Sequence, residues 1–212
     1  MTIETMNIHE ALTELKMLEK RIPAEIKEVV WVVANKHSSP MVNGVKLADY
    51  NDRVKSQYQK VSDLIRRRDA IKRAVVQSNA VTVVTIAGVE YTVAEAIDRK
   101  NHAMEFLSDL QEQMVADYRR AERSAQMENA NLEARADQYM KTMIGNSDTK
   151  GMSAENRATR DAFIAAQTVE LVDPIGVLAV ATELVEQIGV FMSKVDSALS
   201  TSNALTTITV EY

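Results

Sequence analysis

Apolar side chains recur every three or four residues along most of this chain, and in a few short runs they alternate instead. The longest helical pattern runs from Thr92 to Ile144. Val93, Ile97, Met104, Leu107, Met114, Tyr118, Ala121, Ala125, Leu132, Ala136, Tyr139 and Met143 are separated mostly by three, four or seven residues, the spacing of a coiled-coil seam. Thr92 and Glu95 stand ahead of it as a capping-box pair, and neither Pro nor Gly interrupts it before Gly145. Read as one helix it spans roughly 75–80 Å at about 1.5 Å per residue, longer than a compact domain of this size needs. Such a helix requires partners, either other helices of the chain or other copies of it.

The rest of the pattern divides readily. Asn7 and Glu10 form a second N-terminal cap, opening a helix with Ile8, Leu12, Leu15, Leu18 and Ile22 on one face. Pro23 ends this helix or starts the next. Val29-Val-Trp-Val-Val33 is a strong β former, yet with Ile26 its spacing also fits a helix, and helix is the expectation. Residues 36–47 read as a loop, with Asn43-Gly44 as a tight turn. A helix resumes near Ala48 and runs to about Gln77. Val81 to Tyr91, broken at Ala87-Gly88, predicts a β-hairpin. Gly145 to Gly151 reads as a loop, Ser153 caps a helix to about Val169, and Asp173-Pro174 starts a last helix ending near Ser200. Leu205 to Tyr212 predicts a terminal strand.

One segment occurs twice. Ser78-Asn-Ala-Val-Thr-Val-Val-Thr-Ile86 matches Ser202-Asn-Ala-Leu-Thr-Thr-Ile-Thr-Val210, and the match extends back through Val61/Val185, Leu64/Ile188, Ile71/Val195 and Val75/Leu199. Both copies read as a helix, an Asn-Ala exit with Asn in the left-handed conformation, and a Thr-rich strand. Duplication or convergence on one motif explains this; so does chance, because strands use Thr and Val in any case. If the copies are equivalent, the terminal strand joins the hairpin in one three-stranded sheet, and removing Ala204 to Tyr212 should unprotect residues 81–91.

The expected fold is mainly α, with long antiparallel coiled-coil-like helices and a small antiparallel sheet of the hairpin plus the C-terminal strand. Residues 1–91 form a helical region with the hairpin, 92–144 the long helix, 145–152 a loop, and 153–212 the last helices and strand. Composition narrows the function. Of 212 residues, 46 % are hydrophobic and 26 % charged, with 11 Met and only 5 % aromatics, which suits an aliphatic, adaptable helical core. No cysteine is present, so disulfides, thiolate metal sites and Cys nucleophiles are excluded. A net charge of −5 offers no electrostatic attraction to nucleic acid. No stretch reads as a signal peptide or membrane span, so cytoplasmic synthesis is expected.

Catalytic chemistry finds little footing. His9, His37 and His102 stand apart, with no second His or carboxylate at a ligand spacing on one face. No Ser lies in a nucleophile elbow, and Gly145 to Gly151 lacks the spacing of a phosphate loop. Neither a catalytic residue, a metal nor a cofactor is expected. The one dense basic cluster is Arg66, Arg67, Arg68, Lys72 and Arg73. Ile65 and Ile71 should turn inward, so the cluster wraps round its helix. A solvated face accounts for it, in which case alanine at Arg66, Arg67 and Arg68 should leave folding nearly intact. A site for an anion or an acidic partner is the alternative.

Asn7 to Ile22, Ser78-Asn79 with Thr82, and Tyr91 to Lys100 resemble the septicolysin-like family, small helical proteins of bacteria and their phages. Leu171 to Ile175 and Val195 to Ala204 resemble uncharacterised phage and prophage proteins. Together these cover about half of the chain. The departures are residues 36–47, without the family's acidic linker, and the added length near Gly145. The resemblance implies phage or prophage origin, self-association and no catalytic residues. The expected function is a non-enzymatic, homo-oligomeric virion structural or assembly component, with other virion proteins as further partners and the virion as its place. The alternative is a phage accessory protein that sequesters a host protein or a small nucleotide-like anion.

Overall fold

The computed structural model describes residues 2–144 and 153–212 and shows a mainly α protein. The expected loop at Gly145 to Gly151 lies outside the described residues. The chain forms two compact units, Met1–His102 with Val190–Tyr212, and Ala103–Gly189.

In the first unit, β1 (Ile3–Asn7) leads into α1 (Ile8–Ile26), whose capping box of Asn7 and Glu10 is complete in both directions. Pro23 sits inside α1. The expected helix at Val29 to Val33 does not form, and residues 28–36 take up neither helix nor strand. A minimal hairpin follows, β2 (Met41–Val42) and β3 (Val45–Lys46), then α2 (Leu47–Val81). The second hairpin pairs β4 (Val83–Ile86) with β5 (Val89–Thr92). Both hairpins turn on two residues of positive φ, Asn43-Gly44 at 46° and 83°, and Ala87-Gly88 at 54° and 84°. Two-residue turns that match strand twist need this geometry, and glycine supplies it without strain.

The three-stranded sheet is a correction. Each sheet has two strands, and the terminal strand β6 (Thr207–Glu211) pairs with β1, not with the hairpin. The register runs antiparallel from Ile3↔Glu211 to Asn7↔Thr207. Thr2 and Tyr212 extend it with backbone bonds of 2.9 and 3.2 Å. β1 was hidden because Ile3-Glu-Thr-Met carries only two apolar residues and is a strand only by virtue of its partner. Above this pair, Ile8, Ala11, Leu15 and Leu18 of α1 meet Ile71 and Val75 of α2 and Ile208 and Val210 of β6 in one apolar cluster. The steps of three, four and three along α1 place all four on one stripe.

The two copies of the repeated segment do form a helix followed by a strand. α2 passes into β4, and α7 (Val177–Leu205) passes into β6. The Asn exit is corrected. Asn79 and Asn203 stay helical with no positive φ, and the helices run on to Val81 and Leu205. Thr82 and Thr206 make the exit, each donating its N–H over 2.8 Å to the carbonyl four residues back, Ser78 or Ser202.

The expected single helix from Thr92 to Ile144 is divided. It becomes α3 (Val93–Asp98), a π-helical turn (Arg99–Ala103), α4 (Met104–Ala130) and α5 (Leu132–Ile144). A π turn holds an extra residue and rotates the face of the helix beyond it. At Asn131 the backbone leaves helical values, with φ −105° and ψ 9°. In the second unit, α6 (Ala154–Gln167), capped by Ser153, runs back along α5. Tyr139 stacks on Phe163 at 4.6 Å, and Arg160 meets Asp137 at 2.8 Å. α7 begins after the Asp173 carboxylate accepts from the amides of Gly176 and Val177, three residues later than Pro174 suggested.

Candidate functional site

The basic cluster of α2 separates into residues with very different surroundings. Helical spacing puts position 67 on the same stripe as Val61, Leu64, Ile71 and Val75, the face that α2 buries. Arg67 is accordingly drawn in, with its side chain only 22 % exposed. Its guanidinium holds Glu14 of α1 in a two-bond fork and donates to Glu4 of β1 at 2.8 Å. It also donates to the Tyr212 hydroxyl and lies over that ring at 4.7 Å, while Tyr212 donates to Glu4 at 3.1 Å. Arg67 therefore ties α1, α2, β1 and the last residue of the chain together. Donating to the Glu14 carboxylate pushes the Arg67 pKa further up, so it stays charged at any working pH. The solvated-face expectation fails at this residue.

The other four stay at the surface. Arg66 pairs with Asp63 one turn away. Arg68 meets Asp69 at 3.0 Å and Glu19 at 4.0 Å. Lys72 and Arg73 are exposed and have no partner among the described residues. Ile65, expected inside, is 39 % exposed, while Ile71 is fully buried. An open groove of about 690 Å³ runs beside Arg67, lined by Lys55, Ser56, Gln59, Lys60, Asp63 and Tyr212 among others. Its Lys60 is engaged by Glu25 at 2.6 Å. That lysine, with the Gln57 amide and Arg21, holds the Glu25 carboxyl at about 2. The charges of this groove are thus largely spent within the protein.

At the equivalent place in the other copy stands a different chemistry. Phe191 of α7 occupies the position of Arg67, and Val195 that of Ile71. Phe191 makes an edge-to-face contact with Tyr91 of β5 at 5.8 Å, and the Arg99 guanidinium lies 5.6 and 5.7 Å from the two rings. Lys100 binds Asp196 at 2.5 Å. A cleft of about 680 Å³ beside β4 is lined largely by hydroxyls, including Thr82, Thr85, Ser193, Ser197, Thr201 and Ser202. A residue count of the repeat alone would have found position 67, because Phe191 marks it as buried in the sister copy.

The histidines are all exposed. His102 Nδ1 lies 3.1 Å from the Asp98 carboxylate one turn earlier, so a His–carboxylate pair on one face does exist, contrary to the sequence reading. Among the described residues no group of three His, Asp or Glu side chains could hold a metal ion, and no helix is long and apolar enough to cross a membrane. No family model matches the chain, and neither the curated proteins nor the solved structures contain a match to it.

Proposed function

We propose that this chain is a non-enzymatic, self-associating helical protein of phage type that serves as a structural or assembly component of a virion. The observation that carries the self-association is α4. Over its 27 residues only Met104 and Ala125 are buried, while Phe106, Leu110 and Met127 are 69, 50 and 68 % exposed. Phe106 and Leu110 stand one turn apart on the same face, and an exposed apolar patch of this kind marks a surface that binds protein. The phage assignment rests on the resemblance of Asn7 to Ile22, Ser78-Asn79 with Thr82 and Tyr91 to Lys100 to the septicolysin-like family, and of Leu171 to Ile175 and Val195 to Ala204 to phage and prophage proteins. Light scattering coupled to size exclusion at micromolar concentration should give a mass of several chains, and mass spectrometry of purified virions should find the protein. A monomer at that concentration would refute the reading.

A second reading, an accessory protein that sequesters a small anion, is favoured by Lys72 and Arg73, two adjacent cations on α2 with no partner among the described residues. Its test is release of a nucleotide when protein purified from cells is heat-denatured. Protein that releases none would leave those cations to the solvated face.

A further inference from the structure

Val29-Val-Trp-Val-Val33 has the strongest strand-forming sequence in the chain and no strand partner among the described residues. Its side chains nevertheless alternate as a strand's do. Val29, Trp31 and Val33 are half-buried, while Val30 and Val32 are 62 and 84 % exposed. The hydrogen bonds along the segment follow the same parity. The carbonyl of Glu28 accepts from Arg53 at 3.3 Å and that of Val30 from the Tyr50 hydroxyl at 2.8 Å. Even-numbered carbonyls therefore face α2. In an extended chain the N–H and C=O of one residue point to the same side and successive residues to opposite sides. Residues 29, 31 and 33 thus present their polar groups on the far edge, and none of these groups has a backbone partner among the described residues.

We infer that this edge pairs with the same edge of a second copy, as an antiparallel ladder centred on Trp31. The segment is a palindrome, so a two-fold axis through Trp31 sets Val29 against Val33 and Val30 against Val32 of the other copy. Trp31 faces its own equivalent. Pairing through residues 29, 31 and 33 satisfies the six N–H and six C=O groups of the two free edges. The ends match in charge as well. Glu28, whose carboxylate lies 3.7 Å from Arg53 of its own copy, falls diagonally across from the Lys36 side chain of the other copy, which has no partner among the described residues. A two-fold ladder closes on itself, so it makes a dimer and leaves no edge to grow. This inference deepens the self-association proposed above and gives it a second surface, distinct from α4.

Parity provides the test. Proline at 33 removes a donor from the ladder and sets its ring against the other copy, whereas proline at 32 removes an N–H that faces the protein's own α2. Val33→Pro should halve the mass found by light scattering, with circular dichroism and melting temperature unchanged, and Val32→Pro should leave the mass as it is. Should Val33→Pro unfold the chain, cross-linking decides. Trp31→Cys would be the only cysteine. Facing residues in a bonded pair have Cα atoms about 5.5 Å apart, within disulfide range. It should therefore oxidise to a covalent dimer, while Val30→Cys, which faces Val32, should not. A wild type that remains associated yet is indifferent to Val33→Pro and is not cross-linked at position 31 overturns the ladder and keeps the α4 reading. A monomeric wild type overturns both.

Discussion

The two copies of the repeated segment build the same backbone and lock it differently. In one, α2, β4, β5 and α3 follow each other directly. In the other, β1 and α1 stand at the start of the sequence and α7 and β6 at its end. Both have an antiparallel strand pair, a capping box at the second strand's exit, and a bond from the first helical amide to the threonine that leaves the preceding helix. That bond is Val93 to Thr82 at 2.8 Å in one and Ile8 to Thr206 at 3.0 Å in the other. Val84 and Ile86 are buried as Ile208 and Val210 are, and Val93 and Ala96 as Ile8 and Ala11 are. The helix stripe differs. Arg67 forms ion pairs with Glu4 and Glu14, while Phe191 meets Tyr91 and Arg99. The apolar positions specify the plan, and the locking position is free to be charged or aromatic.

The largest expected effect comes from removing Ala204 to Tyr212. This deletes β6 but leaves both strands of the hairpin in place. Losing the buried Ile208 and Val210 costs roughly 3–6 kcal/mol at about 1.5–3 per side chain. At about 2–4 °C per kcal/mol for a chain of this size, the melting temperature should fall by roughly 6–24 °C. Amide exchange should then accelerate in β1, α1 and the α2 stripe of Ile71 and Val75 that packs on β6, while residues 83–92 keep their protection. Each helix locks onto the strand pair of the other copy, so loss of protection at the hairpin first would mean that β6 supports the hairpin as well as β1.

Next comes the locking position itself. Phe191→Ala leaves a cavity in a packed site and should cost roughly 3–5 kcal/mol. Arg67→Ala removes the cation between two carboxylates. Breaking a fully buried pair costs about 3–5 kcal/mol, and partial exposure here should bring that to roughly 2–3. Thermal melts in low and high salt separate the two chemistries: 1 M salt should shrink the Arg67→Ala defect and leave the Phe191→Ala defect unchanged. Equal salt responses would show that Arg67 acts by packing alone.

Much of the helical plan was legible because it is written in local chemistry. Both capping boxes, the Ser153 cap and the two positive-φ turns need only neighbouring residues. What sequence could not supply was the choice of partner. β6 has the same pattern as β4, and nothing local says that it pairs with Ile3 to Asn7, more than 200 residues away. The division of the Thr92–Ile144 helix escaped for a related reason. An apolar seam with steps of three, four and seven is unchanged by a π turn at Arg99–Ala103, and Asn131 is tolerated in helices as well as at their ends. Arg67 was misread because three consecutive arginines suggest a surface, although the stripe through Leu64 and Ile71 runs directly across position 67.

The smallest effect tests the likeness of the copies instead of their difference. Asn7 and Thr92 each accept from the amide three residues on, and Glu10 and Glu95 each reach back to the cap amide. Asn7→Ala and Thr92→Ala should each cost about 1 kcal/mol, equal within error if the copies are equivalent. Their response to acid sharpens this. The Thr92 backbone N–H, with its hydroxyl, holds the Glu95 carboxyl below its ordinary value. A carboxyl lowered on folding stabilises the protein above its unfolded pKa, and that contribution is lost as pH falls through the folded one. Wild type should therefore lose stability on acidification below about pH 4.5, the ordinary value, by a step that Glu95→Gln abolishes and Thr92→Ala diminishes. Melting curves from neutral pH into acid would record it, and an acid limb unaltered by Glu95→Gln would assign the loss to other carboxylates.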